Sequence, residues 1–353
     1  MEQVTDVIFR HVVKKAGAPD LFYTEFSNAT GWVHAGDKGI GGRLVKTADE
    51  HPIVAQIWGG EPGDMEQFAK YCAKLGYDGI DINMGCPAKS AVKSGGSALI
   101  RQPELAAQAI AAAKTAGLPV SVKTRLGYSR VDEWQQWLAH LLQQDIVTLT
   151  IHLRTKKEMS KVPAHWELIP KIKALRDEIA PHTLLVINGD IQNRQEGERL
   201  VKEYGVDGVM IGRGIFSDPF CFAPMRPGER GIHPLQDSNS RGVQPKGPSD
   251  ETTGSAAVSM ARERWLETGE SRKREQRDGE ATDEHAHRQK LINLLHYHLN
   301  LYDQYSELTH RPFETLKRFF KIYIRDFDGA SDLRDKLMHT KSTDEVRALL
   351  HTL

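Results

Sequence analysis

The chain has 353 residues, 39% of them hydrophobic, and its 47 basic and 47 acidic residues give a formal net charge of zero. This length and apolar fraction suffice for a buried core and indicate two domains, or one large barrel with an appendage. The neutral total excludes a protein that is basic over its whole surface, but it allows local cationic patches that bind nucleic acid.

The sequence lacks the signals of a membrane or secreted protein. No apolar run approaches the roughly 18 residues of a membrane span, and the first residues lack the basic-then-apolar plan of a secretory signal. We therefore expect a cytoplasmic protein with no membrane partner. The three cysteines, Cys72, Cys86 and Cys221, form no Cys-x-x-Cys pair, so we expect neither a disulfide framework nor a metal site.

Up to about residue 223, short apolar strands alternate with amphipathic helices, the pattern of βα units around a parallel sheet. Seven strands are predicted, at Asp20–Phe26, Pro52–Ile57, Asp78–Asn83, Pro119–Thr124, Ile146–His152, Thr183–Asn188 and Asp207–Gly212. A (β/α)₈ TIM barrel needs eight. Because helical periodicity over Val4–Gly17 precedes the first of the seven, we predict a barrel whose first strand is missing or reduced to Met1.

The composition changes after the barrel pattern ends. Residues 225–282 are rich in Gly, Pro, Ser, Arg and Glu, which predicts a flexible insert, with a short helix near Ala256–Glu267. Helical periodicity returns at Lys290–Tyr305, Pro312–Asp326, Leu333–His339 and Thr343–Leu350. We therefore divide the chain into a barrel domain over 1–224, an insert over 225–282 and a small all-α domain over 283–353.

Active sites of parallel barrels lie at the carboxyl ends of the strands. Cys86 directly follows a strand and stands between Gly85 and Pro87, which favours display at the barrel mouth over packing in a wall. Most cysteines outside disulfides are buried hydrophobes. That interpretation holds for Cys72, on the apolar face of a helix, and for Cys221.

Cationic and polar residues end the next strands. Lys123 lies in an apolar strand, where an unpaired ammonium is costly to bury, and Arg125 shares its face, so an anionic ligand is favoured over a frayed surface end. His152 and Arg154 share a face of the following strand.

The last two strands end in Asn188-Gly189-Asp190 and in Gly212-Arg213-Gly214. Loops at these positions bind phosphate in many such barrels, and a helix that begins at Gly214 would direct N–H groups at the ligand. Gln56, on an earlier strand, has an amide suited to a heteroaromatic ring. In register with Lys123, His152 and Asn188, Gly212 and Arg213 therefore predict a phosphate site.

The motifs resemble those of the tRNA-dihydrouridine synthases, a family of flavoenzymes. The resemblance covers residues 1 to about 222 and the C-terminal helices. It is carried by Met1-x-x-Val-Thr-Asp6, Thr24-Glu25, Gln56, Asp81-x-Asn-Met-Gly-Cys-Pro87, Ser94-Gly-Gly96, Lys123-x-Arg125, His152-x-Arg-Thr155, Asn188-Gly-Asp190 and Gly212-Arg213.

The resemblance implies a barrel that binds FMN, joined to a helical domain that binds tRNA. NADPH would reduce the flavin, hydride would pass to C6 of a D-loop uridine, and a cysteine would protonate C5. By this resemblance Cys86 is the general acid. The implied FMN ligands are Met1, Gln56, Lys123, His152, Asn188, Gly189, Asp190, Gly212 and Arg213. Asn83 and Arg125 would face the uracil.

Two groups of cations are predicted to bind tRNA. Lys89 and Arg154 would meet its phosphates at the barrel mouth. Lys317, Arg318, Lys321 and Arg325 lie close together in a segment predicted to be one helix and would form a positive stripe on the helical domain. We expect a monomer.

Two other functions fit parts of the pattern. One is an FMN barrel that reduces a small pyrimidine or enone, which would not need the cationic stripe. The other is a tRNA-binding relative that has lost catalysis through the missing strand. A yellow purified protein would distinguish an enzyme from the second alternative, because oxidised FMN absorbs visible light.

Overall fold

The computed structural model describes residues 1, 3–224 and 284–351. Met1–Pro224 and Leu294–Leu353 form one compact unit, and Met225–Asn293 form a second, of which only 284–293 are described. The predicted insert over 225–282, with its helix at Ala256–Glu267, lies outside the described residues. The division into three domains stays a prediction.

The first unit is built on one curled parallel sheet. Its strands are β1 (Phe22–Tyr23), β2 (Ser27–Asn28), β3 (Ile53–Trp58), β4 (Gly79–Asn83), β5 (Val120–Arg125), β6 (Thr148–His152), β7 (Leu184–Asn188) and β8 (Gly208–Met210). The order is β1-β3-β4-β5-β6-β7-β8, and β2 also pairs with β3. Every pair is parallel, as helical crossovers require.

The predicted strand at Asp20–Phe26 is divided by a bulge. Phe22 pairs with Ile53, whereas Ser27 pairs with Ile57, so the first strand carries one residue more than its neighbour over this stretch. At the bulge, the Thr24 hydroxyl takes the place of a backbone carbonyl and accepts the Gln56 N–H at 3.0 Å. β1 and β2 therefore fill one position of the sheet.

The sheet thus has seven strand positions, as predicted, and the strands lie within the predicted segments or extend at most two residues beyond them, the larger excess being at β2. In the part of the chain that the structure describes, no ladder joins β8 to β1. The barrel is therefore open between these two edges, where the eighth strand of a closed ring would lie.

Helices cover the outside of the sheet. They are α1 (Val7–Gly17), α2 (Ala29–Ala35), α3 (Asp37–Ile40), α4 (Pro62–Lys74), α5 (Lys89–Val92), α6 (Pro103–Lys114), α7 (Trp134–Leu142), α8 (Ile169–Ile179), α9 (Arg194–Tyr204) and α10 (Gly214–Ser217). Local signals set their ends. Asn193 caps α9 by accepting the Glu196 N–H at 2.9 Å, and Gly205 ends it with φ +64°.

The C-terminal helices are α11 (284–309), α12 (Glu314–Lys317), α13 (Phe320–Tyr323), α14 (Ala330–Met338) and α15 (Thr343–Leu350). The single helix predicted at Pro312–Asp326 is wrong, because α12 and α13 are separate four-residue helices. No described helix is long and apolar enough to cross a bilayer.

Two apolar cores hold this unit together. One lies between the sheet and its covering helices. The other joins α1 to the C-terminal helices through buried side chains such as Phe9, Leu295, Phe319 and Tyr323. The helices after residue 294 are thereby fixed against the side of the barrel, since burial of this apolar surface favours the packed arrangement.

Candidate active site

The carboxyl ends of the strands open into a cavity of about 1150 Å³. It is lined by all the predicted cofactor and uracil residues: Met1, Gln56, Asn83, Lys123, Arg125, His152, Asn188, Gly189, Asp190, Gly212 and Arg213. Lys89, Arg154 and Cys86 are not among its lining residues. The cavity continues between the open edges of β1 and β8, beside Tyr23 and Val209.

The sheet register stacks these side chains in layers. Gln56, Asp81 and Ser121 are neighbours on β3, β4 and β5. Asn83 lies beside Lys123 in the next layer, and Arg125, His152 and Asn188 are neighbours in the layer nearest the mouth. Because side chains alternate along a strand, these layers share the inner face of the sheet.

Lys123 is the central cation of the cavity. Its Nζ donates to Asn188 Oδ1 at 3.1 Å, and Asn188 Nδ2 donates to the Met210 carbonyl at 2.7 Å. Burial, and then the Arg125 charge, lower the pKa of Lys123 to about 8, although Asp81 and Cys86 oppose the shift. At neutral pH the group is therefore mostly charged, and a bound anion would stabilise it further.

His152 is neutral, and one of its ring nitrogens can donate a hydrogen bond to a ligand. Burial and the charges of four surrounding cations lower its pKa to about 2. Since Arg154 Nη1 donates toward His152 Nε2 at 3.3 Å, the proton of the neutral ring belongs on Nδ1. That atom is buried and has no hydrogen-bond partner among the described residues.

The Cys86 loop is held by a side chain of the preceding strand. Asn83 Oδ1 accepts the N–H groups of Gly85 and Cys86 at 3.1 and 2.9 Å, and the Cys86 carbonyl accepts the Ser97 N–H at 3.1 Å. Cys86 is half-buried. Cys72 and Cys221 are buried, which raises the pKa of each thiol to about 12, so their structural interpretation is confirmed.

Two arginines that were predicted to contact the substrate donate hydrogen bonds to backbone carbonyls. Arg125 Nε donates to the Gly85 carbonyl at 2.8 Å, and its Nη1 donates to the carbonyls of Thr155 and Met159. Arg154 is only 2% exposed and is bonded to Asp190 and the Val162 carbonyl. These groups engage its guanidinium, and the contact of Arg154 with tRNA phosphates stays a prediction.

Asp190 links the arginines at the mouth. It accepts from the Arg154 side chain, from the Ala164 N–H at 2.9 Å and from Arg213 Nη2 at 3.2 Å. Burial alone would raise the pKa of Asp190, but these hydrogen bonds and the two arginine charges hold it below its usual value. The carboxylate is therefore ionised and fixes the position of the more exposed Arg213.

The loop after β8 departs in part from its prediction. The helix begins at Gly214 as expected, but it has four residues. The Ile215 N–H bonds to the Gly212 carbonyl and the Phe216 N–H to the Arg213 carbonyl. Those two amides are therefore engaged within the loop, and the Arg213 side chain remains as its cation.

The lining fits a flat, anionic heteroaromatic group of the flavin type. Lys123 and Arg213 supply positive charge, and His152 Nδ1 is a buried donor with no acceptor among the described residues. Within the described parts of the chain, a Cβ built on Gly212 would have only Asn188 Nδ2 within 4.0 Å, so these parts leave open space beside this backbone. The donor set and the space match a phosphorylated ring better than an apolar ligand.

The predicted C-terminal stripe is not one helical face. Lys317 ends α12, Lys321 lies in α13 and Arg325 follows α13. Arg318 donates to the Gln3 carbonyl and to Gln3 Oε1, while Arg325 pairs with Asp326 and with the Ser217 carbonyl. Lys321 is exposed, with Nζ 5.7 Å from the Phe216 ring centre.

Asp81 and Glu25 stand within the motifs that carry the family resemblance, but no role was predicted for either buried acid. Asp81 is fully buried and accepts from Gln56 Nε2 and Ser121 Oγ, both at 2.7 Å. Glu25 is fully buried and is paired with Arg311, which lies near Asp6. Asp81 could have been found as Lys123 was, because a charged residue inside an apolar strand is costly to bury without a partner.

The chain is similar to known dihydrouridine synthases. Residues 1–240 match the family model described as dihydrouridine synthase. The chain is 50% identical over 352 residues to a probable tRNA-dihydrouridine synthase 2 of Bacillus subtilis, covering 99% of this chain and 91% of that protein. It is 47% identical to a probable tRNA-dihydrouridine synthase of Staphylococcus aureus, covering 99% and 90%.

Among solved structures, a 2-naphthoyl-CoA reductase complex is 10% identical, with a TM-score of 0.45 over 62% of this chain and 46% of that one. This likeness is too low to bear on function. The family match and the near-complete relatives do bear on it, and together with the motifs around Cys86 they show that the chain belongs to the dihydrouridine synthase family.

Proposed function

We propose that this protein is a tRNA-dihydrouridine synthase that uses FMN and NADPH to reduce the C5–C6 double bond of a D-loop uridine. The observation that carries the proposal is the placement of the Cys86 loop beside Asn83, Lys123 and Arg125 at one cavity mouth. The reaction would take place in the cytoplasm, with the protein as a monomer.

The cofactor end of the cavity is assigned from its charges and donors. Lys123 would stabilise negative charge on the flavin ring, and Gln56 would hold the pyrimidine side of that ring. His152 Nδ1, Asn188 and Arg213 would hold the ribityl chain and phosphate, with Gly189, Asp190, Gly212 and Met1 shaping the space around them. When bound, FMN supplies the hydride for C6 of the uracil.

The protein's own contribution to the chemistry is a proton and a fixed geometry. The Cys86 thiol would give its proton to C5 of the uracil, a role that needs the thiol rather than the thiolate form. Asn83 holds the Cys86 backbone through its side-chain oxygen and would face the uracil. Arg125 fixes the same loop through the Gly85 carbonyl.

A uridine in folded tRNA must leave its stack to enter such a cavity. The enzyme therefore needs contacts with RNA outside the cavity. Lys89, at the start of α5 and shortly after Cys86 in the chain, is exposed and is proposed to meet tRNA phosphate. Lys317 and Lys321 would add cationic contacts on the C-terminal helices.

The test combines cofactor extraction with RNA mapping. The flavin released from purified protein is identified by chromatography, and dihydrouridine is mapped in tRNA from a strain that lacks these enzymes, with and without this gene. We expect FMN and restored dihydrouridine at a D-loop position. A protein without flavin, or tRNA that stays unmodified, would contradict the proposal. Reduction of a small pyrimidine or enone with no effect on tRNA would favour the small-molecule alternative.

A further inference from the structure

The loop that follows β6, residues 155–165, borders the cavity and is called here the rim loop. Ser160, in its middle, lines the cavity. Its exposed side carries Lys157, Met159, Lys161 and Val162, with Met159 45% and Val162 37% exposed. Two cations and two large apolar side chains are therefore presented together beside the site.

The rim loop is held in place from below. Arg125 Nη1 donates to the Met159 carbonyl at 3.0 Å, and Arg154 Nε donates to the Val162 carbonyl at 2.6 Å. Both guanidinium groups are buried. The exposed side chains therefore project from a backbone that is anchored to the ends of β5 and β6.

The one acidic residue between the two lysines is turned away from them. The Glu158 carboxylate accepts the Thr155 N–H at 2.7 Å and bonds to His165 Nε2 at 3.0 Å. Among the described residues, no carboxylate forms an ion pair with the Nζ atoms of Lys157 or Lys161. The outer side of the rim loop is thus cationic, and its charge complements a polyanion.

The backbone of Met159 adopts a conformation that is unfavourable for a methionine. Its φ is +56°, a region where glycine or asparagine costs less free energy than a long side chain. Nothing is gained in the core, because the side chain is exposed. The exposed, flexible Met159 side chain is therefore suited to bind an apolar partner, which would cover it in the complex.

We propose that the rim loop is an RNA-contacting surface of the catalytic unit. Lys157 and Lys161 pair with phosphates that flank the extruded nucleotide, and Met159 with Val162 pack against a ribose or base that extrusion has unstacked. RNA is the occupant because its phosphates complement the two lysines and its unstacked bases complement the two apolar side chains beside this cavity. The inference rests on the proposed function.

The neighbouring loop extends the cationic surface. Lys156 Nζ lies 4.7 Å and the Arg101 guanidinium carbon 3.7 Å from the centre of the Tyr128 ring. Backbone bonds from Lys156 to the Gly127 carbonyl and from Lys157 to the Tyr128 carbonyl join the two loops. The loops after β5 and β6 therefore form one continuous rim.

The test compares rim variants with matched variants elsewhere. Lys157→Ala with Lys161→Ala is compared with Lys74→Ala, an exposed lysine of α4. Met159→Ala and Val162→Ala are compared with Val147→Ala, which is 45% exposed at the other end of β6. The measurements are tRNA dissociation constants at several salt concentrations, KM and kcat for dihydrouridine formation, and NADPH oxidation by O₂ without RNA.

We expect the double lysine variant to weaken tRNA binding about tenfold and to reduce the salt dependence by between one and two ions. Met159→Ala should lower kcat/KM for tRNA on the order of tenfold. NADPH oxidation without RNA and all control variants should stay at wild-type values. Unchanged tRNA affinity and unchanged salt dependence in the rim variants would overturn the inference.

Failure of the proposed function gives a different result. A wild-type protein that binds tRNA but forms no dihydrouridine contradicts the proposed function alone, because the rim variants still report on binding. A wild-type protein that does not bind tRNA contradicts both proposals.

Discussion

Gln56 and Asp81 set the direction of a chain of hydrogen bonds that ends at Cys86. Gln56 Nε2 donates to the Asp81 carboxylate at 2.7 Å, and Gln56 Oε1 accepts from Asn83 Nδ2 at 3.2 Å. Asn83 Oδ1 in turn accepts the Cys86 N–H at 2.9 Å. Burial raises the pKa of Asp81, but its two oxygens accept from Gln56 Nε2 and Ser121 Oγ. This acceptor role fixes which end of the Gln56 amide, and in turn of the Asn83 amide, faces each neighbour.

Asp81→Asn should disturb this order. An asparagine amide offers donors to Gln56 as well as an acceptor, so the Gln56 amide can reverse and present the opposite groups to the cavity. We expect flavin affinity to fall on the order of tenfold and the flavin absorption spectrum to shift. Fluorescence titration of the apoprotein and absorption spectra measure these effects.

Ser121→Ala is the matched control, because it removes the other hydrogen bond to Asp81 and leaves the Gln56 orientation intact. If Asp81→Asn binds flavin with wild-type affinity and spectrum, Asp81 does not orient the amide.

The buried pair of Glu25 and Arg311 should be important for stability. The two residues are 286 positions apart and join the barrel to the segment between α11 and α12. Arg311→Met leaves a fully buried carboxylate without its cation, so we expect the free energy of unfolding to fall by about 3–5 kcal/mol. Urea titration measures the loss.

A surface pair provides the comparison. Arg347 and Asp303 are paired in a more exposed position, so Arg347→Ala should cost no more than about 1 kcal/mol. Adding Glu25→Gln to Arg311→Met should recover part of the loss, because it removes the unpaired charge. Equal losses of unfolding free energy in Arg311→Met and Arg347→Ala would show that the buried pair contributes no more to stability than the surface pair.

Asp6 should make stability depend on pH. Burial, and then the charge of Glu25, raise the pKa of Asp6 from 3.8 to about 6. The folded state therefore holds a proton that the unfolded state releases at lower pH, and this contribution to stability is lost as the pH rises from about 4 through 6.

Asp6→Asn tests this dependence without removing the helix cap. The Asp6 side chain accepts the Phe9 N–H at the start of α1, and asparagine serves equally well there. The stability of wild type relative to Asp6→Asn should fall between pH 4 and pH 6.5 and then level off. Urea unfolding at a series of pH values measures it. A constant difference would show that the pKa of Asp6 is not raised.

Cys86→Ala should separate cofactor binding from proton transfer. The variant keeps the cavity lining, so the protein should remain yellow and NADPH should still reduce its flavin. Dihydrouridine formation should fall by at least 10²-fold, as expected for loss of a general acid. Cys221→Ala, at a buried site, should retain turnover. Wild-type turnover by Cys86→Ala would refute the role of this thiol as proton donor.

The sequence by itself determined most of the local elements and the family. Strand and helix positions follow from apolar periodicity and capping residues, which act over a few residues; the α9 ends at Asn193 and Gly205 are examples. The residues that line the cavity were also predictable, because parallel strands bring their carboxyl ends together.

Only the tertiary structure decided what each charged side chain contacts. Arg154 is buried and bonded to Asp190, and the cations at 317–325 are spread over two short helices and their ends. Glu25 finds Arg311 from the other end of the chain. Such pairings depend on desolvation and on long-range packing, which residue type and spacing do not encode.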